Sequence, residues 1–293
     1  MTRIAVLTHR RIHDTSTALE LLRRRAREAG VTLCVDDEEC EKHGLEASSE
    51  LERGGDQLTD IALCLVLGGD GTILRALGRY AGTGVPVFAI NYGEIGFLAT
   101  VEPDAIEDGI RRAFAGEFEL LHLPAITLDL PGGVSGPGAP PQLPREHRAI
   151  NDVAIHRRVG ERVAELGYSL AGQEAGSVRC DGLVVATPAG STGYNLANGG
   201  PVMAWGVEGF VVSFIAPHSI SARALVVAPD DRLTIHNRSR EPLDIAVDGR
   251  PVAEILPGAS IEVGFTRDVG TLAQLSGASF YLRLRQKFGR LAS

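Results

Sequence analysis

The most constraining feature of this sequence is a run of seven apolar residues, 61–67, that ends directly in Gly68-Gly69-Asp70-Gly71-Thr72. An uninterrupted apolar run of this length is typical of a parallel strand buried on both faces. A helical pattern follows through Ile73, Leu74 and Leu77. The turn between strand and helix offers unhindered backbone N–H groups and a helix N-terminus to an anion, so the sequence predicts a phosphate site here.

The order of strand and helix patterns predicts two domains. Residues 1–120 alternate between the two, which indicates a doubly wound, Rossmann-like α/β domain. Its strands are predicted at 4–7, 31–35, 61–67 and 85–90. Ligands of such sheets bind beyond the carboxyl ends of the strands, where the glycine-rich turn falls. Residues 121–270 carry short alternating patterns, one of them over 178–186, and predict an all-β, sandwich-like second domain.

Three local patterns lead to further expectations. Thr17 and Glu20 form a capping-box pattern in the first helix, which we expect to end at Gly30. The acidic stretch 36–60 predicts a solvated loop with one helical turn. Residues 131–141 are too rich in proline and glycine to fold alone and predict a mobile hairpin insertion.

Charge and composition exclude several kinds of partner. The 293 residues carry a formal net charge of −8, so we expect neither nucleic acid nor an acidic membrane surface as a partner. The apolar run at the start stops at His9, Arg10 and Arg11, which excludes a signal peptide or spanning helix there and predicts a cytoplasmic protein. The four cysteines show no Cys-x-x-Cys pair, and we expect reduced thiols and no metal site.

Asp70 distinguishes the turn from better-known phosphate loops. The sequence lacks Gly-x-x-x-x-Gly-Lys-Ser/Thr, and residues 69–74 lack the third glycine of the dinucleotide fingerprint. A carboxylate beside a polyphosphate is repulsive unless it accepts a proton or meets Mg²⁺. The alternative is an aspartate that caps the following helix. We expect Asp70 at the reacting centre and the donor's phosphates against Gly68, Gly69, Gly71 and Thr72.

A second polar block lies in the predicted β domain. Asn151-Asp152 opens a strand, and residues 179–196 read Arg-Cys-Asp-Gly-Leu-Val-Val-Ala-Thr-Pro-Ala-Gly-Ser-Thr-Gly-Tyr-Asn-Leu. From the residues alone, Asn151 and Asp152 are either turn residues or acceptors that hold ribose hydroxyls. Ser191 or Thr192 is expected to cap a helix at the end of this block.

These motifs resemble those of the NAD kinase family. The Gly-Gly-Asp-Gly-Thr turn is shared with diacylglycerol kinases, sphingosine kinases and 6-phosphofructokinases. The turn alone therefore does not distinguish among these families. The second block resembles NAD kinases closely, and the resemblance extends to residues 91–98, 199–201, 217–223 and 248–250. It implies an enzyme that transfers a phosphoryl group to the 2′-hydroxyl of the adenosine ribose of NAD.

The resemblance also implies which residues meet NAD. Carried over by position, they are Asp70, Gly71, Arg75, Asn151, Asp152, Arg162, Arg179, Asp181, Ala189, Thr192, Gly193, Tyr194, Asn195, Leu196, Ala197 and Arg250. Asp70 would orient or deprotonate the 2′-hydroxyl. Because no lysine lies between residues 43 and 286, we expect Arg75 to supply positive charge at the transferring phosphate. His156 and His218 are expected to take no part in catalysis.

Further implications concern the donor and the assembly. The resemblance implies ATP or polyphosphate as donor with Mg²⁺ or another divalent cation, a homodimer or homotetramer, and a segment 271–293 that returns to the first domain. Two alternatives stay open. One is a lipid kinase of the diacylglycerol kinase type, and the other is a catalytically silent NAD(P) sensor.

Overall fold

The chain forms two compact units. In the computed structural model, which describes residues 2–54, 60–93, 96–130 and 146–289, one unit comprises 1–122 with 270–293, and the other 123–269. Segment 131–141, for which the sequence predicts a hairpin insertion, lies outside the described residues. Among the helices of the described ranges, none combines the length and the apolar character needed to cross a membrane.

The first unit is built on a parallel sheet. Its elements up to residue 115 are β1 (Arg3–Thr8), α1 (Ile12–Ala29), β2 (Thr32–Asp36), α2 (Asp37–His43), β3 (Leu51–Gly54), β4 (Leu63–Leu67), α3 (Asp70–Arg79), β5 (Val87–Ile90) and α4 (Ile106–Ala115). The strand order is β3-β2-β1-β4-β5, with every pairing parallel. All five residues of β4 are buried, as expected of a strand covered on both faces. The predicted Rossmann-like α/β fold is confirmed.

The second unit is a β-sandwich. The remaining elements of the chain are β6 (Glu119–Asp129), β7 (Glu146–Ala149), β8 (Asp152–Arg157), β9 (Ala164–Leu170), β10 (Gln173–Cys180), β11 (Gly182–Ala186), α5 (Tyr194–Ala197), β12 (Phe210–Ile215), β13 (Leu225–Val227), β14 (Leu233–Asn237), β15 (Leu243–Val247), β16 (Arg250–Ile255), β17 (Ser260–Gln274) and α6 (Phe280–Phe288). One antiparallel sheet runs β13-β12-β11-β8-β15-β16, and the other contains β10-β9-β14-β17 with β6 beside β17. Apolar side chains of both sheets share one core, which confirms the all-β prediction.

The last part of the chain belongs to the first unit. Leu272 of β17 pairs in parallel with Val87 of β5 and so extends the parallel sheet by one strand. The hydroxyl of Thr100 donates to the carbonyl oxygen of Ala273 at 2.7 Å. Helix α6 follows within the same unit. The first unit is therefore assembled from two segments that are far apart in sequence.

Local predictions failed where tertiary contacts outweigh the pattern. The capping box is wrong, because α1 begins at Ile12 and the fully buried Thr15 extends its core-facing stripe by one turn. The loop predicted over 36–60 contains α2 and β3 instead. Asp36 caps α2 by accepting the Glu39 N–H at 2.8 Å. The single strand predicted over 178–186 is two strands, β10 and β11, which belong to different sheets.

Two glycine-containing turns meet at the carboxyl end of the parallel sheet. The Gly68 N–H donates to the Ile90 carbonyl oxygen at 3.0 Å, and the Tyr92 N–H donates to the Gly68 oxygen at 3.2 Å. A Cβ on Gly93 would lie 2.9 Å from the Gly69 Cα. Backbone meets backbone at this point, so neither glycine leaves room for a side chain. The turn after β4 and the loop after β5 are thereby held together.

This contact predicts opposite effects for two alanine substitutions. Gly93→Ala should destabilise the protein by about 1–3 kcal/mol, because the new Cβ must push backbone aside. Gly78→Ala in α3 meets nothing within 4 Å and should stabilise by about 0.5–1 kcal/mol through helix propensity. Urea denaturation of both variants measures the difference. Equal stability of Gly93→Ala and the unchanged protein would contradict the close approach.

Candidate active site

The glycine-rich turn places an open helix N-terminus at the end of β4. Helix α3 begins at Asp70, with Gly69 in the cap position. Gly71 is exposed, and a Cβ added there would meet nothing within 4 Å. Open space therefore lies next to the first turn of α3. The positive end of the helix dipole and backbone N–H groups at such a terminus favour a phosphate.

The carboxylate of Asp70 is held by the loop that follows β5. Its Oδ2 accepts the Phe97 N–H at 2.9 Å, and its Oδ1 accepts the Leu98 N–H at 3.2 Å. A Cβ on Gly96 would lie 2.1 Å from Oδ1, so only glycine fits beside the carboxylate. Asp70 thus does not occupy the cap position of α3, and the capping alternative is wrong. Each carboxylate oxygen keeps a further lone pair for a substrate hydroxyl.

Arg75 is paired with a buried glutamate. Its Nη2 donates to Glu39 Oε1 at 2.5 Å and to the Thr8 carbonyl oxygen at 3.4 Å. Glu39 is only 2% exposed and also pairs with Lys42 Nζ at 2.5 Å. The charge of Arg75 is therefore largely compensated inside the first unit. Lys42, one of the two lysines of the chain, thus contacts the same carboxylate as Arg75.

The second unit presents polar residues on the outer face of its six-stranded sheet. Val153 and Ile155 of β8 point into the sandwich core, so alternation places Asp152 and His156 on the opposite face. The Tyr194 ring stacks on the His156 ring with centroids 5.6 Å apart. Burial, and after it the charges of Asp152 and Asp181, raises the pKa of Tyr194. These side chains thus belong to one polar surface.

A half-buried aspartate in the turn between β15 and β16 organises the start of β8. The Asp248 carboxylate accepts the N–H groups of Ile150, Asn151 and Asp152 at 2.9, 2.7 and 3.1 Å. Asp248 adopts a left-handed φ of 45° at the turn between β15 and β16. Asp248 belongs to the segment 248–250 that resembles the NAD kinase family, and no role was predicted for it. The Asp248-Gly249 dipeptide, a common turn pair, was the available signal.

Burial shifts the pKa of the neighbouring Asp152. Burial, and after it the charge of Asp248, raises the pKa of Asp152 to about 7. Burial also raises the pKa of Asp248, against the opposing effect of its three backbone donors. The charge of Asp248 thus adds to the effect of burial on Asp152, because a nearby like charge disfavours ionisation.

The turn before α5 is capped differently from the prediction. Thr187 Oγ1 accepts the Gly190 N–H at 3.0 Å and donates to the Ile150 oxygen at 2.6 Å. Ser191 is fully buried, and its hydroxyl donates to the Pro188 oxygen at 2.7 Å. The Thr192 hydroxyl donates to the Ala189 oxygen at 3.1 Å. The cap predicted at Ser191 or Thr192 is therefore wrong, because Thr187 lies closer to the free N–H.

Asn195 lies in the interior of the α5 turn. Its side chain is fully buried, and Nδ2 donates to the Ser191 oxygen at 2.9 Å and the Pro201 oxygen at 3.0 Å. A Cβ on Gly200 would collide with this amide. Asn195 thus ties the α5 turn to the loop that follows. The neighbouring residues Tyr194 and Ala197 are exposed.

The other residues expected at the site are distributed around the same unit. Asp181 pairs with Arg157 at 2.6 Å, and this hydrogen bond holds the pKa of Asp181 below its usual value. The structure places the others as follows: Arg162 exposed in the turn before β9, Arg179 exposed on β10, Ala189 buried, Gly193 exposed, Leu196 half-buried, and Arg250 exposed at the start of β16.

The raised pKa of Asp152 predicts a pH-dependent stability. A group whose pKa rises from 3.8 unfolded to about 7 folded costs stability as pH increases through that window. Asp152→Asn should therefore stabilise the protein above pH 7, by up to about 4 kcal/mol at about 1.4 kcal/mol per pKa unit, and have little effect near pH 3. Urea titrations at several pH values measure this.

Asp181→Asn is the matched control for that titration. Its pKa is lowered by Arg157, so the ionised carboxylate contributes stability that is present at neutral pH and lost as pH falls. This variant should be less stable than the unchanged protein at pH 8. A stabilising effect of both substitutions, or of neither, would contradict the assigned environments.

Both units match models of one protein family. The model of the ATP-NAD kinase N-terminal domain matches residues 7–118, and that of the ATP-NAD kinase C-terminal domain matches residues 150–268. The NAD kinase of Gemmatimonas aurantiaca is 31% identical over 98% of this chain and 96% of its own length. The NAD kinase of Symbiobacterium thermophilum is 37% identical over 78% of each chain.

Two solved structures show the same fold over nearly the whole chain. A yeast NADH kinase complexed with NADH superposes with a TM-score of 0.86 at 21% identity, covering 100% of this chain and 89% of that one. An NAD kinase from Archaeoglobus fulgidus in complex with ATP has a TM-score of 0.73 at 23% identity, with 99% of each chain covered. With full-length relatives above 30% identity and both domain models matched, the chain belongs to the ATP-NAD kinase family and is a kinase.

Proposed function

We propose that this kinase transfers the terminal phosphoryl group of ATP or polyphosphate to the 2′-hydroxyl of the adenosine ribose of NAD, producing NADP. The observation that carries the proposal is the position of Asp70. Its carboxylate is fixed by two backbone N–H groups beside an open helix N-terminus. A base next to a phosphate site is the arrangement that phosphoryl transfer to a hydroxyl requires.

The outer face of the β-sandwich supports an extended polar acceptor. Asp152 begins β8, and Asp181 lies level with Arg157 at the other end of that strand, since the Arg157 N–H donates to the Asp181 oxygen. Five residues of strand separate these ends by roughly 17 Å. A ligand that contacts both must be long, and NAD meets this condition. Tyr194 supplies an aromatic ring on the same surface.

In the proposed mechanism, Asp70 accepts the proton of the 2′-hydroxyl as the hydroxyl oxygen attacks the terminal phosphorus in line. The bond between that phosphorus and the donor's bridging oxygen breaks, and ADP or the shortened polyphosphate leaves. The N–H groups at the start of α3 receive the donor's phosphates, and most of the acceleration comes from positioning and charge neutralisation. The ribose hydroxyls are held by Asn151 and Asp152. Within the donor-phosphate group Gly68, Gly69, Gly71 and Thr72, the N–H groups of Gly68 and Thr72 donate to Ile90 and Gly69, so the N–H groups of Gly69 and Gly71 are proposed to meet the donor. Contacts through the backbone suit ATP and polyphosphate alike.

Mg²⁺ is proposed to accompany the donor. Both oxygens of Asp70 already accept backbone N–H groups, and no cluster of three or more His, Cys, Asp or Glu suited to a metal occurs among the described residues. The donor's own phosphate oxygens would therefore hold the ion, where it neutralises their charge.

Other features of the proposal rest on the resemblance and on the relatives. The yeast NADH kinase is complexed with NADH and the archaeal NAD kinase with ATP, which supports nicotinamide and adenine nucleotides as ligands here. We extend the proposal to a cytoplasmic homodimer or homotetramer. The lipid kinase alternative finds no support in the polar face around Asp152 and Tyr194.

Removal of the base should slow turnover with little effect on binding. Asp70→Asn is expected to lower kcat by about 10² to 10⁴ and leave the KM for NAD within a few-fold, because a general base acts mainly in the transition state. Asp104→Asn, an exposed aspartate in the turn before α4, is the matched control and should behave as the unchanged protein. NADP formation at the normal rate by Asp70→Asn would refute the role of Asp70.

The substrates are tested with the purified protein. NAD, Mg²⁺ and either ATP or polyphosphate should yield NADP, detected with an NADP-specific dehydrogenase, while diacylglycerol and sphingosine should not be phosphorylated. Absence of NADP with both donors would overturn the proposed reaction. NAD binding without turnover would then favour a sensor.

A further inference from the structure

Helix α6 packs against the loop that holds Asp70. Ser279 caps α6 by accepting the Leu282 N–H at 3.1 Å. The rings of Phe280 and Phe288, one at each end of the helix, lie 6.2 and 5.9 Å from the Phe97 ring, centroid to centroid. Lys287 Nζ lies 4.8 Å from the centre of the same ring. Phe97 is thus packed against both ends of α6.

Arg283, in the middle of α6, binds the backbone of this loop. Its Nη1 donates to the Phe97 carbonyl oxygen, and its Nη2 donates to Gln274 Oε1 at the end of β17. A planar guanidinium that donates from both nitrogens is fixed in orientation as well as in position. The guanidinium group of Arg283 therefore fixes the position of the Phe97 carbonyl group.

The same peptide unit connects Arg283 to Asp70. The Phe97 carbonyl group, which accepts from Arg283, shares one planar amide with the Leu98 N–H, which donates to Asp70 Oδ1 at 3.2 Å. Because a trans amide points its C=O and N–H in opposite directions, this peptide joins a cation on one side to a carboxylate on the other. Hydrogen bonds in such a chain polarise and strengthen each other.

Electrostatics act in the same direction. Burial lowers the pKa of Arg283, while the nearby charges of Asp70 and Glu102 raise it, and an arginine side chain stays protonated under these conditions. The positive charge of the half-buried Arg283, close to the carboxylate, favours a single orientation of the Phe97–Leu98 peptide. Rotation of that peptide would turn its oxygen toward Asp70 and place two acceptors together.

We propose that Arg283 is a positioning residue of the kinase reaction, which fixes the Asp70 carboxylate through the peptide between Phe97 and Leu98. The proposal rests on the proposed role of Asp70 as the base. It makes α6 a part of the reacting centre, although Arg283 touches neither substrate. Loss of the guanidinium releases the loop and lets Asp70 leave the geometry required for proton transfer.

The test compares two arginines on the same helix. Arg283→Met, which keeps the length and apolar packing of the side chain, is expected to lower kcat by about 10- to 100-fold, since small misplacements of a catalytic group have effects of this size. The KM for NAD should stay unchanged. Arg285→Met, at an exposed position two residues later, should have wild-type kcat and KM. Circular dichroism and thermal unfolding verify that both variants are folded.

A conservative variant separates positioning from folding. Arg283→Lys retains a positive donor for the Phe97 oxygen but cannot also reach Gln274 in the same plane, so its kcat should fall between those of Arg283→Met and the unchanged enzyme. If Arg283→Met does not fold, unchanged kcat in Arg283→Lys would overturn the proposal. A rise in KM without loss of kcat in either variant would do the same.

Asp70→Asn distinguishes the two proposals. Normal activity of Asp70→Asn would remove the proposed base, and the inference about Arg283 with it. An inactive Asp70→Asn together with a fully active, folded Arg283→Met would leave the base in place and refute the positioning role alone.

Discussion

The carboxylate of Asp70, bound to the N–H groups of Phe97 and Leu98, is the interaction on which the candidate active site depends. It forms only because three glycines clear the space around it: Gly69 and Gly93 let two backbones touch, and Gly96 leaves room for the carboxylate itself. The glycines of this region thus serve close packing as much as phosphate access. A negative group is held beside the open N-terminus of α3 by geometry that ligand binding does not have to create.

The second unit uses burial in a comparable way. The Asp248 carboxylate accepts three backbone N–H groups and so fixes the start of β8. Asp152 then lies next to it in a site that penalises its charge. A polar group kept at such a cost is typical of functional surfaces, where stability is exchanged for a side chain ready to accept a hydrogen bond.

Sequence reasoning predicted what depends on local pattern. The buried strand β4, the turn after it and the change from α/β to all-β follow from the period of apolar residues. It failed where distant residues decide: β10 and β11 separate at Asp181 because they join different sheets, and Glu39, in a stretch that looks solvated, is buried against Arg75. The contact of Arg283 with Phe97 spans 186 positions, and no local pattern encodes such a pairing.

The two-segment construction of the first unit has a consequence for synthesis on the ribosome. Domains of many proteins fold in order from the N-terminus as they emerge. Here the parallel sheet lacks the strand ending at Gln274 until the whole sandwich has been made, and the loop around Phe97 lacks its helical support until Phe288 has left the exit tunnel. The nascent chain therefore lacks these contacts with the loop that holds the Asp70 carboxylate until residues 270–288 have been synthesised.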